Sequence, residues 1–186
     1  MSSSANLPLN SAVWLNQSAK LEVKPAAYTR PSKNEIVIKN GAFAINPADW
    51  IKQDMGGFIF PWVKYPCVLG YDVSGEVVEI GNGVTRFKIG DRVVGMANGL
   101  TESGNTPAKS AFQLYTVLLD HMTSHIPSTL SYEQASVIPL GFSTAACGLF
   151  QKDQLELQLP SLSPNPTGET VLIWGGSTSV GVNAIQ

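Results

Sequence analysis

The sequence is poor in cysteine and has no surplus of charge of either sign. Its two cysteines, Cys67 and Cys147, are too few for a disulfide scaffold or a structural zinc set, so a reducing compartment is the simplest setting. We expect both to be small core residues rather than nucleophiles. With 12 Lys and Arg against 14 Asp and Glu, the net charge is -2. The chain therefore lacks the basic footprint of a protein that binds nucleic acid or an anionic membrane.

Long hydrophobic runs are also missing. The first six residues have no basic segment followed by an apolar stretch, so they do not read as a secretory signal. No apolar run approaches the roughly 20 residues that a membrane span needs. We therefore expect a cytoplasmic protein that acts on a small molecule, without nucleic-acid or membrane partners; monomer and homodimer are both left open.

Short strand patterns dominate the first two thirds of the chain. Strands are predicted on both sides of a turn at Asn16-Gln17, over residues 35–39 and over residues 112–117. Helical segments are predicted over residues 49–55, ended by Gly56-Gly57, and over residues 143–150. A further helix is predicted to begin after Ser131, because Ser131 and Gln134 have the spacing of a capping box. A mostly β domain followed by helices is the result.

The stretch from Gly70 to Gly95 is the most informative part of the sequence. A β-branched run ends at Gly81-Asn82-Gly83, which predicts a strand, a tight turn and a second strand. A simple hairpin would explain that much. The stretch also carries a set of residues at fixed spacing, namely Gly70, Asp72, Gly75, Val77, Gly81, Val84, Phe87, Gly90, Asp91, Arg92 and Val93.

Together these positions resemble the medium-chain dehydrogenase/reductase superfamily, in its zinc-free branch of quinone oxidoreductases and fungal trans-enoyl reductases. The resemblance extends over almost the whole chain and corresponds to the first half of such an enzyme. It implies a GroES-like β-barrel catalytic domain over residues 11–127. Connecting helices and a loop over 128–167 would follow, and then the first βα element of a truncated Rossmann domain over 168–186.

Residues 170–174 form an apolar run that predicts a central strand of a parallel sheet. The glycine-rich stretch after it occupies the frame of the dinucleotide fingerprint, with candidate cofactor-binding residues Gly176, Ser177, Thr178, Ser179, Val180 and Gly181. The hydroxyls of Thr178 and Ser179 could bond phosphate. A buried strand that turns into a helix without a ligand is the alternative. Because such a strand needs neighbours to bury it, we expect the chain to be an N-terminal piece that is inactive alone.

The segment from Ile138 to Ala145 resembles a superfamily segment that places a threonine hydroxyl near the nicotinamide. Carried over, this makes Thr144 a candidate cofactor contact, with an ordinary helix-start residue as the alternative. The residue that selects NAD or NADP is expected beyond Gln186. NADPH is the expected cofactor, and NAD is left open.

Asn46-Pro47-x-Asp49 resembles the motif that lines the active-site cleft in the zinc-free branch. Zinc-dependent relatives have a cysteine ligand where this chain has Ala44 and Ile45, and a His-Glu pair where it has Tyr71-Asp72. A three-ligand catalytic zinc cannot be assembled from those positions, so no zinc is expected. The pair His121 and His125 is spaced by four but lies outside any predicted helix, and is interpreted as solvent-facing.

Hydride transfer without a metal needs a hydrogen-bond donor for the enolate and a source of protons. The candidate catalytic residues are Asn46, Asp49, Lys52 and Tyr71. In some fungal enoyl reductases a lysine directly follows the tryptophan, whereas Ile51 intervenes here. Each residue along a helix turns the side-chain direction by about 100°, so this offset points Lys52 in a different direction from the lysine of those enzymes. A solvated surface lysine is therefore the favoured interpretation of Lys52.

The sequence thus predicts an NADPH-dependent reductase of activated alkenes or quinones. A zinc-type alcohol dehydrogenase and a non-enzymatic GroES-like binding module are the two alternatives.

Overall fold

The computed structural model describes residues 7–186, so the residues that argued against a secretory signal lie outside the described part. The chain divides into two compact units, one that ends at Val137 and one over Ile138–Gln186. Among residues 7–186, no helix has the length and apolar character that crossing a membrane requires.

The first unit contains a three-stranded antiparallel sheet. Its strands are β1 (Asn10–Leu15), β2 (Leu21–Ala26) and β4 (Cys67–Val68), in the order β2-β1-β4. The predicted turn at Asn16-Gln17 is confirmed: the Asn16 side chain accepts hydrogen bonds from the backbone amides of Ser18 and Lys20. Asparagine closes such turns because its short amide reaches backbone donors two residues ahead.

A five-stranded antiparallel sheet forms most of the core of the first unit. Its order is β7-β3-β5-β6-β8, with β3 (Glu35–Ala44), β5 (Asp72–Ile80), β6 (Arg92–Met96), β7 (Tyr115–Leu119) and β8 (Thr123–His125). Its side chains Ile36, Ile38, Val73, Val77 and Val93 are completely buried. β3 and β5 approach so closely that a Cβ on Gly75 would overlap the carbonyl oxygen of Lys39. The mostly β architecture predicted for this part is confirmed.

β5 and β6 pair as predicted, but not through a tight turn. Eleven residues, 81–91, separate the two strands. The Gly81 amide bonds the carbonyl of Glu35 at 2.8 Å, and the Asn34 amide bonds the carbonyl of Asn82 at 2.8 Å. The glycine-rich turn therefore closes onto the start of β3 instead of returning the chain directly to β6.

Two α-helices belong to the first unit, α1 (Pro47–Ile59) and the short α2 (Tyr132–Ser136). The capping box at Ser131 is present, as predicted. The prediction that Gly56-Gly57 ends the first helix is wrong. Gly56 lies within α1, buried where a Cβ would overlap the Tyr65 hydroxyl, so close packing and not helix termination requires the glycine.

The second unit contains α3 (Pro139–Phe150) and α4 (Ser179–Ile185). The helical half of the predicted βα element is therefore present, but the strand predicted over residues 170–174 is not formed. Leu172 is 85% exposed and Trp174 93% exposed. A strand needs a neighbour for its backbone hydrogen bonds, and none of the described strands pairs with this run.

Candidate active site

Three of the inward positions of α1 are occupied by Asp49, Lys52 and Gly56, which recur at the spacing of one helix face. Lys52 is only 2% exposed, so its interpretation as a solvated surface lysine is wrong. The physical reason is the orientation of the helix, whose apolar residues Trp50 and Phe58 point outward and are 54% and 87% exposed.

The buried lysine makes a close polar contact. Its Nζ donates to the hydroxyl of Tyr71 at 2.6 Å and lies 3.4 Å from the centroid of the Phe60 ring. A charge-assisted hydrogen bond and a cation–π contact thus replace part of the hydration that the ammonium loses. Burial still lowers the pKa of Lys52, and the nearby Asp49 carboxylate opposes that shift. Burial also raises the pKa of Tyr71 to about 12, with Asp49 adding to the effect.

The Asp49 carboxylate bridges two segments of backbone. Oδ2 accepts from the amide of Asn46 at 2.8 Å, at the start of α1, and Oδ1 accepts from the amide of Gly70 at 3.0 Å. Burial raises the pKa of Asp49, and these two hydrogen bonds act against the rise. The carboxylate thus connects the start of α1 to the residue before Tyr71.

Asn46 completes the cluster. Its Nδ2 donates to Oδ2 of Asp72 at 2.8 Å, and Asp72 is fully buried at the start of β5. The four predicted catalytic residues Asn46, Asp49, Lys52 and Tyr71 are therefore brought together in the first unit. Their chemistry is that of a buried proton donor pair, Lys52 and Tyr71, on a scaffold fixed by two carboxylates.

The positions that would carry zinc ligands in zinc-dependent relatives have other roles here. Tyr71 is bonded to Lys52, and Asp72 accepts from Asn46. In the described range 7–186, no group of three or more His, Cys, Asp or Glu side chains is arranged to hold a metal ion. The solvent-facing interpretation of the two histidines is confirmed, since both have exposed side chains.

The two cysteines differ from each other. Cys67 is buried in β4, as expected of a core residue, and burial raises its pKa to about 11, so its thiol is neutral at physiological pH. Cys147 is exposed on α3, so the expectation of a core position is wrong there. The predominantly alanine and glycine surroundings of Cys147 in the sequence gave no indication of which face of the helix it occupies.

The candidate cofactor residues lie in the second unit. The Thr178 hydroxyl caps α4: it accepts from the amide of Gly181 at 3.0 Å and donates to the carbonyl of Gly175 at 2.9 Å. It is therefore committed to the helix start rather than presented to a phosphate. A Cβ on Gly181 would overlap the carbonyl oxygen of Gly175, which is the close approach expected of the last glycine in a dinucleotide-binding turn.

The remaining candidates flank this turn. Gly175 has φ +81, so the backbone turns sharply just before Gly176, Ser177, Ser179 and Val180. Thr144 lies in the middle of α3, not at a helix start, and its exposed hydroxyl donates to the carbonyl of Leu140 at 2.7 Å. The turn thus has the close glycine approach expected of a dinucleotide-binding turn, and the Thr178 hydroxyl is already bonded within it.

Sequence reasoning missed Phe60 and Gly70 as parts of the site. Phe60 follows directly after α1, and its ring covers the Lys52 ammonium. Gly70 has φ +100, and a Cβ there would overlap the Phe112 ring, so only glycine can turn its amide toward Asp49. The glycine was visible in the sequence, but its hydrogen-bond partner was not.

Comparisons with known proteins show which family this chain is similar to. The family model of the alcohol dehydrogenase GroES-like domain matches residues 32–128. The dehydrogenase pigH of Monascus ruber is 60% identical over 185 residues, which cover 97% of this chain and 50% of that protein. The trans-enoyl reductase himH of Aspergillus japonicus is 43% identical over 180 residues, 96% of this chain and 51% of that protein.

Solved structures show the same architecture. An alcohol dehydrogenase superfamily protein from Novosphingobium aromaticivorans matches with a TM-score of 0.77 at 28% identity, over 95% of this chain and 49% of its own. The Escherichia coli quinone oxidoreductase complexed with NADPH matches with a TM-score of 0.59 at 25% identity, over 77% of this chain and 41% of its own.

The chain spans about half the length of the curated relatives that it matches. The family match covers α1 and the strands β3 to β8, and it includes both Lys52 and Tyr71. The chain belongs to the alcohol dehydrogenase GroES-like domain family, in the medium-chain dehydrogenase/reductase superfamily, with relatives among the fungal dehydrogenases and trans-enoyl reductases.

Proposed function

We propose that the protein carrying this chain is a zinc-independent oxidoreductase that reduces an activated alkene, such as an enoyl or enone compound, or a quinone. The observation that carries the proposal is the 2.6 Å hydrogen bond between the buried Lys52 ammonium and the Tyr71 hydroxyl. Such a pair can deliver one proton and be recharged from the cation behind it. The name of the relative himH, a trans-enoyl reductase, supports the same class of substrate.

NADPH, when bound, would supply the hydride that enters the β-carbon of the substrate. Charge then develops on the carbonyl oxygen conjugated to the double bond, and a preorganised donor lowers the energy of that enolate. The Tyr71 hydroxyl is the proposed donor, because Tyr71 is 8% exposed and Lys52 only 2%. Tyr71 gives its proton to the enolate oxygen, the Lys52 ammonium returns one to the phenolate, and water returns one to the Lys52 amine. The enol then tautomerises, with its proton replaced by one at the α-carbon. The products are the saturated carbonyl compound and the oxidised cofactor.

Each member of the pair is suited to its part by its surroundings. The lowered pKa of Lys52 makes its proton easier to transfer than that of an exposed lysine. The raised pKa of Tyr71 keeps the phenol protonated until a stronger base forms beside it. Asp49 holds the surrounding backbone, since both of its oxygens accept backbone hydrogen bonds, and Asn46 donates to the Asp72 carboxylate.

NADPH would be held by the glycine-rich turn of the second unit. We propose that the backbone amides of Gly176, Ser177, Ser179 and Val180 face its pyrophosphate, with Gly181 providing the close approach. Thr144 is proposed to lie near the nicotinamide. NADPH is preferred to NADH because the related Escherichia coli quinone oxidoreductase was solved with NADPH.

Stopped-flow oxidation of NADPH by the complete protein, with panels of enones and quinones, tests the proposal. We expect turnover with at least one panel, and a Tyr71→Phe variant about 100-fold slower in kcat, since general-acid catalysis contributes about 10²–10⁴-fold. Lys52→Met should fall similarly, whereas Lys88→Met, which removes an exposed lysine, is the matched control. Absence of turnover on every substrate would defeat the function, and wild-type rates for Tyr71→Phe would defeat the role of the pair.

Two further measurements separate the alternatives. Metal analysis should find no tightly held zinc; one zinc per chain would favour the alcohol dehydrogenase alternative. The binding-module alternative is tested by titrating NADPH and following nicotinamide fluorescence. For the 186-residue chain alone we expect weak or absent binding, because residues 170–174 form no strand behind the glycine-rich turn. Binding by the complete protein without any turnover would favour a module.

A further inference from the structure

The polar inward face of α1 raises the question of what Asp49 does. Asp49 is only 2% exposed, and its carboxylate accepts two backbone hydrogen bonds. Burying a carboxylate is unfavourable unless it is hydrogen-bonded. The two backbone hydrogen bonds of Asp49 therefore offset part of the cost of burying it.

The two bonds end on the two segments that carry the proton donor pair. Oδ2 fixes the amide of Asn46 at the start of α1, and Lys52 follows Asp49 one turn later on the same face. Oδ1 fixes the amide of Gly70, the residue before Tyr71. On the sheet side, the carbonyl of Leu69 accepts from Phe112 and the carbonyl of Gly70 accepts from Ala111, both at 3.0 Å, so the backbone on either side of Gly70 is also held from there.

We propose that Asp49 is the positioning residue of the site: a single carboxylate sets the register between α1 and the backbone amide of Gly70, the residue before Tyr71, and so keeps Nζ of Lys52 against the hydroxyl of Tyr71. This rests on the proposed function only for its catalytic consequence. Asp49 then acts through the pair and makes no contact with the substrate. Removing it frees the Gly70 peptide to rotate and lengthens the contact between the pair.

The charges around the pair agree with this role. The ionisable groups that act on it are Asp49 and Lys52 of α1, Cys67 of β4, and Tyr71, with Tyr65 beyond Cys67. Cys67 is a neutral thiol at physiological pH, so Asp49 supplies the negative charge that favours the ammonium form of Lys52 and disfavours the phenolate form of Tyr71. Burial is the main cause of both pKa shifts, and Asp49 opposes it at Lys52 and adds to it at Tyr71.

A titration that needs no turnover tests the proposal. The 186-residue chain is labelled with carbon-13 at tyrosine Cζ, and Tyr71→Phe identifies the Tyr71 signal. In Asp49→Asn, which keeps one oxygen acceptor but loses the charge, we expect the pKa of Tyr71 to fall below its wild-type value of about 12 and the Gly70 amide signal to move. Asp54→Asn, an exposed carboxylate on the same helix, is the matched control and should change neither.

An unchanged Tyr71 pKa in Asp49→Asn, or an equal change in Asp54→Asn, would overturn the proposal. If Asp49→Asn does not fold, the unaltered chain still gives an answer: its Gly70 and Asn46 amide signals must follow the titration of Asp49, and amides indifferent to that titration would overturn it. In the complete enzyme, Asp49→Asn should lower kcat by on the order of 10²-fold with little change in KM, as expected for a misplaced catalytic group. A shifted Tyr71 pKa without turnover in any variant would leave the positioning role intact and refute only the proposed function.

Discussion

Replacing Tyr71 with phenylalanine should make the chain less sensitive to alkaline unfolding. The substitution keeps the ring and removes only the hydroxyl that accepts from Lys52. At neutral pH it should destabilise the fold by about 1–3 kcal/mol, because a buried ammonium loses a hydrogen-bond partner. The informative quantity is how that loss changes with pH.

The size of the change follows from the pKa of the phenol. It is raised from 10.0 to about 12 on folding, so the folded chain retains a proton that the unfolded chain releases. Stability from this group is fully present below pH 10 and is lost as the pH rises toward 12. Between about pH 9 and pH 11 the loss is about 1 pKa unit, or roughly 1.4 kcal/mol. The destabilisation caused by Tyr71→Phe should therefore shrink by about 1.4 kcal/mol over that interval.

Urea unfolding of both proteins at the two pH values measures the difference directly. Lys52 and Cys67 titrate in both proteins, so their contributions largely cancel in the comparison. A destabilisation that stays constant from about pH 9 to pH 11, or grows, would show that Tyr71 has an ordinary phenol pKa. The buried pair described above would then be incorrect.

Three other substitutions test the fold. Gly75→Ala should destabilise the first unit by about 1–3 kcal/mol or more, because its Cβ would overlap the Lys39 carbonyl. Gly57→Ala, which has open space around it in α1, should be neutral or stabilising by up to about 1 kcal/mol. Equal urea midpoints for the two variants would contradict this expectation. Ser131→Ala should lower the unfolding free energy by about 1 kcal/mol, since it removes the hydroxyl that accepts from the Gln134 amide; no change in thermal unfolding would argue against the cap.

Much of the fold could be predicted because its signals are local. The turn at Asn16 and the capping box at Ser131 depend on side chains that bond backbone groups two or three residues away, so spacing alone reveals them. The β-branched run in β5 is also a local signal, because the residue types in the run are enough to indicate a buried strand. By contrast, the connection after β5 depends on Gly81 bonding Glu35, a contact between distant residues that no local pattern encodes.

The candidate site could be predicted in membership but not in arrangement. Its residues were identified by resemblance, while the burial of Lys52 depends on Phe60 and Tyr71, which approach it from other segments. The one-residue offset from the family motif pointed the wrong way for Lys52, because the rotation of about 100° that it implies does not reveal which side of α1 faces the interior. For residues 170–174 the composition was right for a strand, but a strand also needs a partner, which composition cannot supply.

The reversed polarity of α1 should be visible in a saturation mutagenesis experiment. In most surface helices, the positions that tolerate any residue are the charged ones, and the intolerant positions are apolar. Here the pattern should invert: a stability screen should accept polar replacements at Trp50 and Phe58 and reject nearly all replacements at Asp49 and Lys52. A redesign based on hydropathy that turned the aromatic side of this helix toward the interior would break the hydrogen bond from the Lys52 ammonium to the Tyr71 hydroxyl.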